Sequence, residues 1–383
     1  MKKLSIITAL AIALAACTND DRYSWDESFA DRTATDTITI AISYDGDHVT
    51  VTGDAYGYVS ATGASVTVTS QTNKFLQLLL SGQTTNGSLL IYSWKKVGVV
   101  LNGVSIKNPT GPAINNQCSK AFYVTLAPGT VNSLSDGDTY AQAPVVASGD
   151  TISQKGTLFS EGQIFFQGTG SLTVAANAKN GIASDDYLTF ESGNISVTAS
   201  ATASNGVKAN DGVFIHGGTL SISVAANGAR GIKNDARMEM TGGTATITTT
   251  GDCRIDTLLA DDGSMAIDTT SCAGIRCDSL FTLSGGTLTI LSSGDGGKGI
   301  NCSQNFEQRG GTLSVTTKGS KLLAKPKGVK SDTEVIVSGG TFDSQTRKSK
   351  ACDSGGSDWP TVIGTPQYTN LDEYDSKHVR IVF

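Results

Sequence analysis

The chain has 383 residues and a net charge of −6, with 29 Lys and Arg against 35 Asp and Glu. This acidic balance argues against a nucleic-acid-binding protein, which needs a basic surface for phosphates, and it is compatible with cation binding. The 44 glycines and 7 prolines suit many short strands that are joined by tight turns.

The N-terminus has the pattern of an export signal. Lys2-Lys3 precedes an apolar run at 4–16 that is too short to span a membrane. Leu14-Ala15-Ala16-Cys17 resembles the bacterial lipobox, which implies cleavage before Cys17 and lipidation of its sulfur. We expect a signal peptide at 1–16, a polar tether at 17–36, and a lipid-anchored protein of the bacterial outer membrane or cell surface. An ordinary signal peptide with a chance cysteine is the alternative.

A Gly-apolar pair recurs along the chain with spacings of 25, 25, 43, 25 and 29 residues. Each unit continues with alternating apolar residues, a Gly-rich turn and a second alternating strand. Period-two alternation buries one face of a strand, and stacked rungs of such strands share a continuous core. We predict an all-β, single-stranded parallel β-helix with coils of about 25 residues at 37–345 and a C-terminal cap at 346–383. The repeated pairs are Gly181-Ile182, Gly206-Val207, Gly231-Ile232, Gly274-Ile275, Gly299-Ile300 and Gly328-Val329.

The 43-residue interval has two interpretations: one rung with an 18-residue loop, or two short rungs. We favour two short rungs, because the segment 262–267 can take the place that 242–247 has in the preceding unit. Both segments combine a glycine with alternating apolar residues.

An ordered set of motifs carries a family resemblance. Leu101-Asn102-Gly103-Val104-Ser105-Ile106 is followed by Gly111-Pro112-Ala113-Ile114, by Asn132-Ser133-Leu134-Ser135-Asp136-Gly137, and then by the Gly-apolar units. Over roughly 38–345 this order resembles the carbohydrate-binding β-helix proteins of clostridia and Bacteroidota, relatives in shape of the pectate lyases. The resemblance implies a right-handed helix and binding of polygalacturonate-like or cellulose-like glycans, with calcium and without lyase activity.

Acidic residues recur at the fourth position after the repeated glycine and at the next position. Equal positions stack in successive rungs, and neighbouring carboxylates repel each other unless a cation lies between them. Calcium takes carboxylate, amide and carbonyl oxygens, so we expect a calcium site here, with Asp185, Asn210 and Asp235 as its best ligands. The candidate metal ligands are Glu161, Asp185, Asp186, Asn210, Asp211, Asp235, Asp278 and Asp332.

Basic residues recur two positions before the acidic column: Lys208, Lys233, Arg276 and Lys330. Residues i and i+2 share a strand face, so these cations could neutralise the carboxylates without any metal. The same row could bind a polymer of uronates, and Arg276 could hold a carboxylate through two hydrogen bonds. We keep both interpretations, and we take the four residues as candidate substrate-binding residues.

The cysteines after Cys17 suggest two bridges, because an exported protein permits disulfides. Cys277 and Cys302 are 25 residues apart and stack in one column, while Cys253 and Cys272 bracket much of the long interval. A stack of buried thiols is the alternative. The aromatic residues amount to 7% of the chain and show no periodic row. The candidate stacking residues Tyr92, Trp94, Tyr123, Tyr187 and Trp359 are therefore interpreted mainly as packing residues.

The sequence lacks a recognisable catalytic constellation, since its three histidines are far apart and no nucleophile elbow, HExxH or P-loop is present. We predict a non-catalytic surface lipoprotein that binds acidic polysaccharide and touches the membrane only through its lipid. A calcium-dependent polysaccharide lyase and a structural adhesin without a sugar site are the alternatives.

Overall fold

The structure is a computed structural model that describes residues 36–145, 149–259, 264–347, 349–372 and 376–383. The predicted signal peptide, the lipidation site Cys17 and nearly all of the tether lie outside these residues. The chain divides into the units Met1–Ile38 and Thr39–Phe383, and the second contains all the repeats. Within the described part, no helix has the length and apolar composition that a bilayer crossing requires.

The described residues form short β-strands joined by turns. The strands that precede the regular repeat are Thr37–Asp45 (β1), His48–Thr52 (β2), Val59–Thr62 (β3), Ala64–Ser70 (β4), Phe75–Thr84 (β5), Gly87–Ser93 (β6), Val97–Asn108 (β7), Ile114–Asn116 (β8), Phe122–Leu126 (β9) and Val131–Asp136 (β10). The next four rungs contain Gly156–Ser160 (β11), Ile164–Gly168 (β12), Ser171–Ala176 (β13), Asn180–Ser184 (β14), Tyr187–Phe190 (β15), Asn194–Ala199 (β16), Asn205–Ala209 (β17), Gly212–Ile215 (β18), Thr219–Val224 (β19), Arg230–Asn234 (β20), Arg237–Met240 (β21) and Thr244–Thr249 (β22).

A two-stranded hairpin interrupts the rungs, which then resume and continue toward the C-terminus. The hairpin strands are Arg254–Leu259 (β23) and Met265–Thr270 (β24). The later strands are Ala273–Cys277 (β25), Phe281–Leu283 (β26), Thr287–Ser292 (β27), Lys298–Cys302 (β28), Phe306–Gln308 (β29), Thr312–Thr317 (β30), Lys327–Ser331 (β31), Val335–Val337 (β32), Thr341–Arg347 (β33), Lys350–Ser354 (β34), Thr361–Val362 (β35), Gln367–Asp372 (β36) and Ser376–Val382 (β37).

Strands of successive rungs pair in parallel, apart from the antiparallel pair β3–β4 at the start, and form three ladders around one core. The first ladder, named here the twelve-strand face, runs β3-β4-β6-β8-β11-β14-β17-β20-β25-β28-β31-β34. The second ladder contains β9, β12, β15, β18, β21, β26, β29, β32 and β35, and the third contains β10, β13, β16, β19, β22, β27, β30 and β33. The long strand β7 pairs with both β9 and β10 and so joins these two ladders into one sheet. The prediction of an all-β parallel β-helix is confirmed.

The core explains the repeated Gly-apolar pair. Ile232, Ile275 and Ile300 pair with one another in register and are fully buried. The glycine before each of them faces the third ladder: a Cβ on Gly231 would lie 2.2 Å from Ile247 Cγ2, and one on Gly274 would lie 2.3 Å from Ile290 Cγ2. Two non-bonded carbon atoms cannot approach so closely. Glycine is therefore required at these positions, where the twelve-strand face packs against the third ladder.

The 43-residue interval is one rung with an inserted hairpin. Strand β20 pairs directly with β25, so that Asn234 lies beside Cys277, while β23 and β24 pair antiparallel with each other. The preference for two short rungs is therefore wrong. The hairpin alternates like a rung strand, but the apolar side chains of Leu259, Met265 and Ile267 are exposed instead of buried. Residues 262 and 263 of the proposed second rung lie outside the described part.

At the C-terminus, parallel pairing continues past residue 345. Strand β34 pairs in parallel with β31 on the twelve-strand face, and β35 pairs in parallel with β32. The third ladder is covered by β37, which pairs antiparallel with both β33 and β36. This antiparallel strand occupies the edge of β33 on which another parallel rung would otherwise add.

A charged face on the twelve-strand sheet

The strands of the twelve-strand face alternate between core and solvent. In β20, Ile232 and Asn234 are fully buried, whereas Lys233 between them is only half-buried. The same alternation holds in β25 and β31 around Arg276 and Lys330. The basic residues predicted from the sequence therefore project from the outer side of this sheet.

The four predicted basic residues form one column. Lys208 pairs in register with Lys233, and Lys233 with Arg276. Asn301 separates Arg276 from Lys330. Neighbouring strands of a sheet are about 4.8 Å apart, so this basic column is a closely spaced row of cations.

The acidic column lies one residue beyond the strand ends and keeps the same register. The N–H of Asp235 donates to the carbonyl of Ala209 at 3.2 Å, and the N–H of Asp278 donates to that of Asn234 at 2.9 Å. The predicted order is thereby preserved along the column: Glu161, Asp185, Asn210, Asp235, Asp278, Ser303 and Asp332, with Asp186 and Asp211 one position farther along the chain.

Most carboxylates of the acidic column have a cationic partner. Lys233 pairs with Asp235, Lys330 pairs with Asp332, and Arg276 Nε lies 2.5 Å from Asp278 Oδ1. Lys155, which precedes β11, pairs with Asp185. The two columns therefore form a ladder of ion pairs, as the alternative interpretation of the basic column described.

The acidic column offers carboxylate and amide oxygens, which are ligands that calcium prefers, but its described side chains do not converge on one point. Asn210 Nδ2 donates to Asp185 Oδ1 at 3.4 Å, while Lys155 binds the other oxygen of Asp185. Across the residues that the structure describes, no group of three or more His, Cys, Asp or Glu side chains converges on one point. The arrangement fits a neutralised ladder better than a dedicated calcium site.

A second basic column, which the sequence analysis missed, lies at the first position of the same strands. Arg230 is in register with Ala273, Ala273 with Lys298, Lys298 with Lys327, and Lys327 with Lys350. These cations come immediately before the repeated glycine, so the repeat itself contains the signal that would have identified them. This column has cations at four positions and no carboxylate, and two of its cations, Lys327 and Lys350, pair with Asp353.

Lys298 shows how concentrated the positive charge is. Burial, together with the nearby charges of Lys330, Lys327, Arg276 and Arg230, lowers the pKa of Lys298 to about 8. Burial and the charge of Arg276 also lower the pKa of Arg230. A site where an ammonium group is held against both burial and like charges favours the approach of an anion.

The aromatic residues on the second ladder are packing residues. Tyr123 stacks on Phe165 with ring centroids 5.2 Å apart, and Tyr187 meets Phe165 edge to face at 5.6 Å. All three side chains are buried. Trp94 is exposed, and its indole N–H donates to the carbonyl of Thr72. Charge is therefore a stronger basis for glycan recognition than stacking on the residues named from the sequence.

The six described cysteines are buried thiols in this structure. Cys277 and Cys302 are register neighbours in β25 and β28, and the hydrogen bond between them lowers the pKa of Cys277 and raises that of Cys302. Cys272 Sγ donates to the carbonyl of Asp252 at 3.1 Å, next to Cys253 in the chain. Both disulfides stay predictions.

Comparisons with known proteins agree with this fold. A solved structure described as the polysaccharide lyase-like protein from C. thermocellum, in a gadolinium derivative, matches with a TM-score of 0.57 and 24% identity, over 71% of this chain and 97% of that chain. Among proteins of curated function, none matches this chain significantly. The profile of a family described as carbohydrate-binding domain-containing protein matches residues 62–320 and 254–361, which together exceed half of the chain. The chain therefore belongs to the carbohydrate-binding domain-containing family.

Proposed function

We propose that this protein binds an acidic polysaccharide, of the polygalacturonate or pectin type, on the outer side of the twelve-strand face, and that it does so without cleaving the polymer. The observation that carries the proposal is the pair of basic columns on an acidic chain. One column contains Lys208, Lys233, Arg276 and Lys330, and the other contains Arg230, Lys298, Lys327 and Lys350.

A repeating ligand suits a repeating surface. Each exposed cation contributes only about 0–1 kcal/mol to binding a carboxylate, because water screens the pair. A polymer that engages several rungs adds these contributions while it loses its freedom of motion only once. The proposal therefore predicts weak binding of a single uronate, stronger binding of longer oligomers, and an affinity that falls as salt rises.

Affinity electrophoresis tests the proposed ligand class. Native gels that contain polygalacturonate should retard the mature chain, whereas gels with an uncharged β-glucan should retard it less, and added salt should restore its mobility. Equal migration in every gel would contradict the proposal and would favour the adhesin alternative.

The non-catalytic part of the proposal has its own test. A lyase would form an unsaturated uronide that absorbs in the ultraviolet, so incubation with polygalacturonate should give no more absorbance than the buffer gives. Product formation that disappears in a Lys298→Met variant would establish the lyase alternative.

We also propose that calcium strengthens binding through oxygens of Glu161, Asp185 and Asn210, where the calcium would share Asp185 with its ion-pair partner Lys155. Calcium that binds the folded chain should raise its melting temperature as the calcium concentration increases. The expected shift is a few degrees, absent with magnesium at the same ionic strength and smaller in Asp185→Asn, as measured by thermal melting after chelator treatment. Equal melting temperatures with and without calcium would contradict the proposal that the folded chain binds calcium.

We further propose that Cys17 carries the lipid that holds the protein at the bacterial outer membrane or cell surface. A Cys17→Ser variant should move from the membrane fraction to the soluble exported fraction. Retention of the variant in membranes would contradict lipid anchoring at this residue.

A further inference from the structure

Two cations of the second basic column have no acidic partner. Arg230 and Lys298 form no ion pair with a described residue, whereas Lys327 and Lys350 both pair with Asp353. The Lys298 ammonium group donates a hydrogen bond to the neutral hydroxyl of Ser271. Neither Arg230 nor Lys298 is thus neutralised by a direct ion pair with a described residue.

The two cations lie on either side of an uncharged residue. Ala273 lies between Arg230 and Lys298 in the register of the column, and its small side chain is buried. The end of the inserted hairpin is next to them, because Ser271, which follows β24, accepts a hydrogen bond from Lys298. Since alanine has no charge, neither a third cation nor a carboxylate stands between Arg230 and Lys298 in this column.

We propose that Arg230 and Lys298 form a subsite for one uronate residue, in which the two cations bind its carboxylate between them. This inference rests on the proposed function and deepens it, because it places one carboxylate of the polymer at one position of the face. The other basic residues of the two columns form direct ion pairs, so a ligand must compete with a carboxylate for each of them. At Arg230 and Lys298 no direct ion pair with a described residue has to be broken.

The test replaces each cation by an uncharged side chain of similar length. Lys298→Met and Arg230→Met should each lower the affinity for an oligogalacturonate, measured by calorimetry, by about tenfold, because a half-buried carboxylate then loses a charged hydrogen bond. Lys107→Met, which removes an exposed lysine from β7 on the other sheet, is the charge-matched control and should bind like the wild type.

The melting temperature separates a binding role from a structural role. Since Lys298 is held charged against burial and neighbouring cations, Lys298→Met should melt at the same or a higher temperature while it binds more weakly. Wild-type affinity in both Met variants would overturn the subsite and leave the proposed function intact. The subsite would also be overturned if Lys298→Met both bound more weakly and melted at a lower temperature, and if Lys298→Arg did not restore the binding. A wild-type chain that binds no polyuronate would overturn both proposals.

The pH dependence gives an independent readout. The carboxylate is ionised throughout neutral and alkaline pH, and it binds the protonated form of Lys298, whose pKa is lowered to about 8. Affinity should therefore be constant between pH 6 and about 7.5 and should fall above about pH 8 as Lys298 loses its proton. In Lys298→Arg the fall should be absent up to about pH 10, because a guanidinium group stays charged. A wild-type affinity that is unchanged from pH 7 to 10 would contradict the assignment of Lys298.

Discussion

A chain in which Lys208, Lys233, Arg276 and Lys330 are all replaced by glutamine should bind polygalacturonate about a hundredfold more weakly than the wild type. Each side chain contributes up to about 1 kcal/mol at this degree of exposure, and a loss near 3 kcal/mol corresponds to two orders of magnitude in Kd. The remaining binding should also depend less on salt, because fewer ion pairs form with the polymer. Calorimetry at two ionic strengths measures both effects.

The matched control removes the partners of these cations. Asp235→Asn, Asp278→Asn and Asp332→Asn together break the same four ion pairs and keep the cations, so any loss of fold stability that comes from the pairs should appear here too. With chelator present, this triple variant should bind polygalacturonate at least as tightly as the wild type, because its cations are free for the ligand. If the two variants lose affinity equally, the ladder serves stability and not recognition.

The substitution Gly274→Val should destabilise the fold by about 3 kcal/mol or more, one of the largest single-residue effects expected in this chain. A Cβ at this position would lie 2.3 Å from Ile290 Cγ2 and 2.8 Å from the carbonyl oxygen of Gly299. Ile290 belongs to β27 of the third ladder, and Gly299 belongs to β28, the strand next to that of Gly274 on the twelve-strand face, so neither can move without opening the core. Unfolding in denaturant, followed by circular dichroism, should show that the variant has its midpoint at a much lower denaturant concentration than the wild type.

A glycine in open space provides the control. Gly46 has φ of +59°, and a Cβ there would meet nothing within 4 Å. Asparagine tolerates this conformation better than most residues, so Gly46→Asn should change the stability by less than about 1 kcal/mol. If Gly274→Val were tolerated as well as Gly46→Asn, the account of the repeated glycine as a packing requirement would be incorrect.

Much of the fold and part of the site can be predicted from sequence because both depend on one period. The regular spacing of Gly206 and Gly231 fixes which strands pair, and pairing places Lys208 beside Lys233 without further information. The hairpin was missed because alternating apolar and polar residues indicate only that a strand has two different faces. The pattern does not indicate which part of the protein covers the apolar face, and in the hairpin the apolar side chains of Leu259 and Met265 are exposed.

One feature of the charged face required the structure, and another was present in the sequence but overlooked. The sequence places Asp235 near both Lys208 and Lys233, but only side-chain geometry shows that Lys233 makes the close pair while Lys208 Nζ is 3.9 Å away. The second basic column was readable from the residues before each glycine, including Arg230 and Lys298. It was overlooked because neutral residues occupy the same position in the rungs of Gly181 and Gly206.

Protection of lysines from chemical acetylation tests the central claim most directly, because it reports which face the polysaccharide covers. Mass spectrometry of the protein acetylated with and without polygalacturonate should show slower modification of Lys233, Lys298 and Lys330 when the polymer is present, and unchanged modification of Lys74 and Lys107 on other parts of the β-helix. Equal protection of all five lysines, or protection of Lys107 alone, would contradict recognition by the twelve-strand face.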